Sequence, residues 1–212
     1  TLPARLGAVA APMMVLLVAG AAGGASLLLA AATRLARVQQ FDDHVERVAG
    51  CHREIATPLA RIGTLPGERY VHPAIGALTA ATILLLRPEI AAVRILLPLA
   101  GASLGAIVAH HAIKYVYPRR RPASALARGK TEAAYPSGHT ADATAVVLTS
   151  AWLLAHEGIL ALPVGFLIGW AIAAVTGASR VALGWHWATD VIGGWLTGVA
   201  VAACCVLLYG AL

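Results

Sequence analysis

Six stretches of the chain run almost without formal charge: residues 6–33, 70–86, 95–113, 138–155, 158–179 and 191–212. A helix rises 1.5 Å per residue, so about 20 apolar residues cross a hydrocarbon layer of about 30 Å. Each stretch has that reach, and the first has enough to spare for tilt. It is also too long for the core of a signal peptide, and Thr1 in place of a Met fits a trimmed start. Asp142 is the one carboxylate inside these runs, near the start of the fourth, where the positive end of a helix dipole tolerates it. Between the first two runs lies the most charged part of the chain, residues 34–69, in which Leu35, Val38, Phe41, Val45 and Val48 recur at helical spacing. That pattern predicts an amphipathic segment lying in the membrane interface, with a solvated loop as the alternative. Gly20/Gly24, Gly101/Gly105, Gly165/Gly169 and Gly194/Gly198 are spaced to let helix backbones approach, and packing within the molecule is favoured over dimerisation. The expectation is an all-α polytopic membrane protein: one domain over residues 1–212, six transmembrane helices, and an interfacial segment between the first two.

Composition agrees. The 212 residues are 59% hydrophobic and 12% charged, with mean hydropathy +0.75, against about 45–50% and about 25% in soluble domains. An ordinary soluble enzyme, a disordered tail and a disulfide-stapled module are thereby excluded. Lys and Arg number 16 against 10 acids, a net charge of +6 that suits anionic headgroups or an anionic substrate. No nucleic acid is expected, because no basic helix stands clear of the apolar runs. Cys51, Cys204 and Cys205 have neither disulfide nor metal-ligand spacing.

Six crossings put the connections after spans one, three and five on one side of the membrane. Three polar clusters fall there. The first runs from Lys114 to Pro122 and holds Arg119, Arg120 and Arg121. An Arg fork and a Lys point charge suit a tetrahedral anion, although basic residues beside a span also serve as plain anchors. The second is Pro136-Ser137-Gly138-His139, where a turn feeds a helix N-terminus. Unpaired N–H groups there make an anion cradle, Gly138 admits close backbone approach, and His139 can move a proton; alternatively Ser137 is an N-cap and His139 an interfacial side chain. The third, Ser179 to Asp190, places His186 and Asp190 one helical turn apart, so that the carboxylate can orient the imidazole, with Arg180 as a further phosphate contact. Its plainer reading is an interfacial His–Asp pair between belt tryptophans, Trp185 and Trp187.

The spacing Lys-x6-Arg-Pro, Pro-Ser-Gly-His, Ser-Arg-x5-His-x3-Asp, spanning Lys114 to Asp190, resembles the tripartite signature of the type-2 phosphatidic acid phosphatase superfamily, which also contains vanadium haloperoxidases. The six-span layout looks like its bacterial membrane branch. The resemblance implies that Lys114, Arg121, Ser137, Gly138 and Arg180 bind the phosphoryl group. It makes His186 the nucleophile oriented by Asp190, and His139 the general acid. No metal or other cofactor is implied, and no carboxylate cluster that could hold one is evident in the sequence. Asp142 departs from the pattern; it either touches His139 or favours the helix start.

The expected function is thus hydrolysis of a membrane lipid phosphate through a phosphohistidine. Candidate substrates are a polyprenyl diphosphate such as undecaprenyl diphosphate, phosphatidic acid, phosphatidylglycerophosphate or a lipid A phosphate, with the first and the glycerolipids preferred because the connection after span three is compact. Two other readings use the same residues: transfer of the phosphoryl group to a lipid hydroxyl, and a non-enzymatic transporter with His139, Asp142, His186 and Asp190 as a relay. The location expected is the inner (plasma) membrane. Thirteen Lys and Arg lie on the side of the clusters and three, Arg5, Arg87 and Arg94, on the other. Counted alone, that puts the site in the cytoplasm, whereas the resemblance implies an extracytoplasmic site. His110 and His111 either line the pocket or, as favoured, pack at the interface; Tyr115, Tyr117 and Tyr135 are expected to anchor at the headgroup level, and Arg87, Glu89, Arg94, His156 and Glu157 to be plain helix-end residues.

Overall fold

The computed structural model describes residues 2–212, with side chains from Ala11 onward; Thr1 and the Arg5 side chain lie outside the described residues. It is all-helical, with no strand among the described residues. In chain order the helices are α1 (Leu2–Ala32), α2 (Ala36–Cys51), α3 (Arg53–Gly63), α4 (Val71–Leu86), α5 (Ala92–Val116), the short α6 (Ala123–Leu126), α7 (Gly138–His156), α8 (Leu162–Ala182) and α9 (Ala188–Ala211), with a 3₁₀ turn at Leu65–Gly67 before α4. Long uncharged runs become helices because a helix satisfies its own backbone N–H and C=O groups where water is absent. Gly158 and Gly184, with φ of +69° and +63°, end α7 and α8, a left-handed conformation that a side chain resists. Gly184 is doubly constrained, since a Cβ there would stand 2.5 Å from Ser124 Oγ.

Among the described residues, four helices are long and apolar enough to cross a membrane: Ala11–Ala32 of α1, α5, α8 and α9. The other two apolar runs are also helical. However, α4 has only 16 residues, and α7 has 19 but carries Thr140, Asp142, Thr144, Thr149 and Ser150. The reason lies in packing: α7 is buried at every position from Thr140 to Ala151, with α5, α8 and α9 around it. A helix with protein on all sides needs small residues more than greasy ones. Gly194 and Gly198 of α9 let it lie against Thr140 and Thr144, and Gly165 and Gly169 of α8 lie against Ala151 and Leu148. Gly101 and Gly105 of α5 face Cys205 and Val201 of α9, whereas Gly20 and Gly24 meet nothing within 4 Å.

Residues 34–69 form two helices rather than one continuous segment. Leu35, Phe41 and Val48, expected on the apolar face, are exposed, and in α3 a second exposed stripe follows at Ile55, Leu59 and Ile62. What α2 turns inward is a carboxylate, Asp42. These helices cap one end of the bundle, where Arg53 Nε donates to the Ala182 carbonyl (3.2 Å) and Asp42 meets Thr189. At the opposite end the helix-end residues interlock instead of standing alone. Arg87 Nε donates to the Glu157 carbonyl (3.0 Å), the Tyr209 hydroxyl donates to the Glu157 carboxylate, and Arg94 lies over the Tyr209 ring at 4.6 Å.

Candidate active site

Three connections converge at the capped end: the loop after α5, the turn into α7 and the loop from α8 to α9. Their backbones are sewn together, with Ala134 N–H donating to the Arg119 carbonyl (2.8 Å) and Ser137 N–H to the Asp190 carbonyl (2.9 Å). All three sequence clusters therefore meet at one end of the molecule.

His186 lies in the loop just before α9, 2% exposed, with Asp190 in the first turn of that helix. Its Nδ1 is 3.3 Å from Asp190 Oδ2, and on the other side Arg121 Nη1 is 3.2 Å from Nε2. A guanidinium has donors only and a carboxylate accepts. Nδ1 must then carry the proton, which it donates to Asp190, while Nε2 presents its lone pair. Burial holds the His186 imidazole well below its ordinary proton affinity, and the positive charges of Arg180, Arg121 and Lys114 act in the same direction. The ring is neutral and of defined tautomer.

Asp190 is itself held firmly. It accepts from the Trp187 N–H (3.0 Å) and from Arg119 Nη1 (2.7 Å). Arg121 is anchored through Nε to the Glu132 carbonyl (2.9 Å) and through Nη1 to the Trp185 carbonyl (2.8 Å). Burial lowers its proton affinity, with Glu132 and Asp190 opposing. Lys114 Nζ, in the last turn of α5, donates to the Ala133 carbonyl (3.0 Å). Arg180, buried at the end of α8, donates to Thr64 Oγ1 (2.8 Å) and lies 4.3 Å over the Trp185 ring, and its Nε has no hydrogen-bond partner.

Ser137 occupies the N-cap position of α7, yet its side chain makes no capping hydrogen bond. Its Oγ accepts instead from Thr140 Oγ1 (2.9 Å). The first turn of α7 thus keeps its amides uncapped by any side chain, and the serine is not the plain cap that the sequence left open. At Gly138 the His110 ring sits where a Cβ would come within 3.0 Å. His139 Nε2 is 3.1 Å from Glu68 Oε1, so the first histidine also has a carboxylate partner, supplied by the segment before α4.

Several neighbours differ from expectation. Asp142 pairs with His110 (3.4 Å), not with His139, and His110 is buried rather than interfacial. Tyr135 is fully buried: its hydroxyl donates to the Ser26 carbonyl (2.6 Å), and burial raises its pKa to about 12. Its ring fills the space that Gly193 leaves open on α9, so it is no headgroup anchor. Arg119, Asp42 and Glu68 were not singled out from sequence. Arg119 sits in a run of three arginines in which only Arg121 is marked by the spacing. Asp42 has Asp43 beside it, exposed and chemically identical. Among the described residues, no group of three His, Cys, Asp or Glu side chains is arranged to hold a metal ion.

What can this arrangement do? An imidazole lone pair faces a ring of cations beside a helix N-terminus, and a second histidine lies at that same N-terminus. That is suited to attack on a phosphorus atom whose oxygens the cations neutralise.

The PAP2 superfamily model matches residues 92–212, which covers α5 to α9. Curated proteins include none that matches the chain. Among solved structures, the crystal structure of the first transmembrane PAP2 type phosphatidylglycerolphosphate phosphatase from Bacillus subtilis is similar, with a TM-score of 0.70 and 25% identity. That likeness covers 95% of this chain and 96% of the other. Since the matched region exceeds half of the chain and contains the whole spacing from Lys114 to Asp190, this protein belongs to the PAP2 superfamily.

Proposed function

We propose that this protein is a multi-pass membrane phosphatase that hydrolyses a lipid phosphate through a phosphohistidine, without a metal. The observation that carries the reading is the placement of His186 between Arg121 at Nε2 and Asp190 at Nδ1, which assigns the proton to Nδ1 and the lone pair to Nε2. Nε2 attacks phosphorus in line with the lipid oxygen. Lys114, Arg121, Arg180 and the N–H groups around Ser137 and Gly138 neutralise the equatorial oxygens. As the N–P bond forms and the P–O bond breaks, His139 gives its proton to the departing oxygen. Water then attacks the phosphohistidine, returning a proton to His139, and the N–P bond breaks to free phosphate and restore neutral His186. Arg121 now sits on Nε2, so an arriving phosphate must draw that guanidinium onto its own oxygens, which charge complementarity favours.

The substrate class follows from depth and likeness. The site sits at the end of apolar helices, where a headgroup enters from the interface and the tail stays among hydrocarbon. Because the similar Bacillus subtilis protein is named for phosphatidylglycerolphosphate, a glycerolipid phosphate of that kind comes first and a polyprenyl diphosphate second. In this reading residues 1–212 form one domain. The six apolar helices α1, α4, α5, α7, α8 and α9 all cross the bilayer, and the exposed stripes of α2 and α3 lie in its interface on the extracytoplasmic side.

The test is phosphate release from a panel of lipid phosphates by the purified protein in detergent, with and without a chelator. Wild type should release phosphate in both conditions, and His186→Ala should release none while remaining folded. Full activity of His186→Ala, or silence of the wild type on every lipid phosphate, would overturn the reading.

A further inference from the structure

We infer that Asp42, on α2, is a positioning residue for the His186–Asp190 pair and acts through Arg119. The inference rests on the catalytic reading above. Asp42 is 1% exposed, and each oxygen of its carboxylate is committed. Oδ1 accepts from the Thr189 N–H (3.0 Å), and Oδ2 accepts from Thr189 Oγ1 (2.6 Å) and from Arg119 Nη2 (2.7 Å). The other terminal nitrogen of Arg119, Nη1, donates to Asp190 Oδ1 (2.7 Å) and to Thr189 Oγ1 (2.7 Å). One guanidinium thus bridges two buried carboxylates, and Thr189, next to Asp190 in the chain, is hydrogen-bonded to both Asp42 and Arg119.

This geometry separates Arg119 from the other cations of the site. Its fork is filled by the buried carboxylates of Asp42 and Asp190, whereas Lys114, Arg121 and Arg180 make their hydrogen bonds to neutral groups. Its grip on Asp190 Oδ1 leaves Oδ2 as the oxygen that faces His186 Nδ1 and the Trp187 N–H. A carboxylate held at one oxygen by a planar fork has a fixed plane, and that plane aims the imidazole. Asp42 in turn fixes the fork. A single carboxylate would leave Arg119 free to swing about its contact with Asp190, whereas two opposed carboxylates set both ends. A fully buried carboxylate is costly and apolar packing would tether α2 to α9 more cheaply, so its presence one contact from the catalytic aspartate calls for more than a tether. Asp42 also lies outside residues 92–212, so the segment between α1 and α4 supplies part of the catalytic alignment.

A residue that aims the nucleophile without touching phosphate should change turnover and spare affinity. Asp42→Asn is expected to lower kcat by about tenfold or more, because sub-ångström misplacement of a reacting group is costly, with KM held within about threefold. Inhibition by vanadate, which needs the His186 bond, should weaken by a similar factor, and competition by inorganic phosphate should not. Asp43→Asn, on the exposed neighbour, should behave as wild type. Arg119→Lys keeps the charge but cannot span both carboxylates, and it should show the same split between kcat and KM; it keeps the inference decidable if the Asp42 variant fails to fold. In the Asp42→Asn/Arg119→Gln double variant, the loss should equal that of Arg119→Gln alone. A tether and nothing more would lower thermal stability and leave kcat per folded molecule, KM and vanadate inhibition unchanged, and that result would overturn the inference. So would additive losses in the double variant. Either outcome leaves the catalytic reading standing as long as His186→Ala is inactive, and an active His186→Ala sinks that reading separately.

Discussion

His186 combines two demands that oppose each other in water: it must be a free base, and it must sit among cations. Burial and the neighbouring cations Arg180, Arg121 and Lys114 achieve both by keeping its proton off. The same cause links it to stability. The folded protein binds a proton at His186 less readily than the unfolded chain, whose ordinary value is 6.5. Above that value both states are neutral there and the contribution to stability is complete. As the pH falls below it, the unfolded chain takes up the proton first and the folded state loses ground. Thermal unfolding in detergent between about pH 7.5 and about pH 5 should therefore show a Tm that drops with acid, and His186→Asn should flatten that slope. An equal slope in both proteins would contradict the assigned burial. Arg121 offers a second residue-level test. Lys in its place keeps a charge but loses the fork that reaches the Glu132 and Trp185 carbonyls and His186 Nε2 at once. Arg121→Lys should cost about 10–100-fold in kcat/KM, given that charge-assisted hydrogen bonds contribute about 1.5–3 kcal/mol each. The residues of the motif spacing could be read from the chain because their order and intervals resemble the PAP2 signature and each residue type suits a phosphate. Arg119, Asp42 and Glu68 could not, since each matters through a partner brought from a distant segment. Within a run of arginines, or a pair of aspartates, nothing local distinguishes the one that turns inward.

At the level of elements, the helices were readable from uncharged runs, and what the pattern missed was which of them is enclosed. α7 has the Thr, Ala and Ser content of a weak membrane span because protein surrounds it, and its neighbours carry glycine where they touch it. Hydropathy reports contact with lipid and is silent about contact with another helix. The apolar stripe of α2 was likewise visible, and Leu35, Phe41 and Val48 are exposed as an interfacial face would be; what the pattern missed was the inward contact, which a buried aspartate makes. Glycine substitutions expose the consequence. A Cβ at position 198 would stand 2.5 Å from Thr144 Cβ and 2.8 Å from the Ala141 carbonyl, so α9 must move off α7. Gly198→Ala should destabilise by about 1–3 kcal/mol, the usual cost of overpacking. Because Ser137 and Asp190 are joined across these two helices, activity should fall as well. Gly20→Ala, with nothing within 4 Å, should leave both unchanged. Thermal melts and phosphate release on the two variants decide the point, and equal melts would mean that α7 and α9 are packed less closely than described.

For the whole molecule, orientation in the membrane is argued from charge. Among the described side chains, thirteen Lys and Arg lie at or beside the end that carries the site and two, Arg87 and Arg94, at the other end. The bias that orients membrane proteins comes from cations free to stay in the cytoplasm, and many of these are otherwise engaged. Arg119 is locked to Asp42 and Asp190, Arg53 to Glu46, and Arg121 and Arg180 are buried. Cations neutralised or buried on folding still present their charge during insertion, so their number counts toward a cytoplasmic site. In the segment between α1 and α4, Asp42, Asp43, Glu46, Glu54 and Glu68 stand among Arg34, Arg37, Arg47, Arg53, Arg61 and Arg69, but acids weigh little in that bias, so the count favours a cytoplasmic site where the family resemblance favours an extracytoplasmic one. A reporter is already in place. Cys51 is exposed at the end of α2, on the site side, whereas Cys204 and Cys205 lie within the apolar α9. A membrane-impermeant maleimide added to intact spheroplasts should label Cys51 if the site is extracytoplasmic, and Cys51→Ser should abolish the signal. Labelling only after the membrane is breached would place the phosphatase site in the cytoplasm. The thirteen cations would then have set the topology after all, and lipid phosphates of the inner leaflet would become the substrates to test.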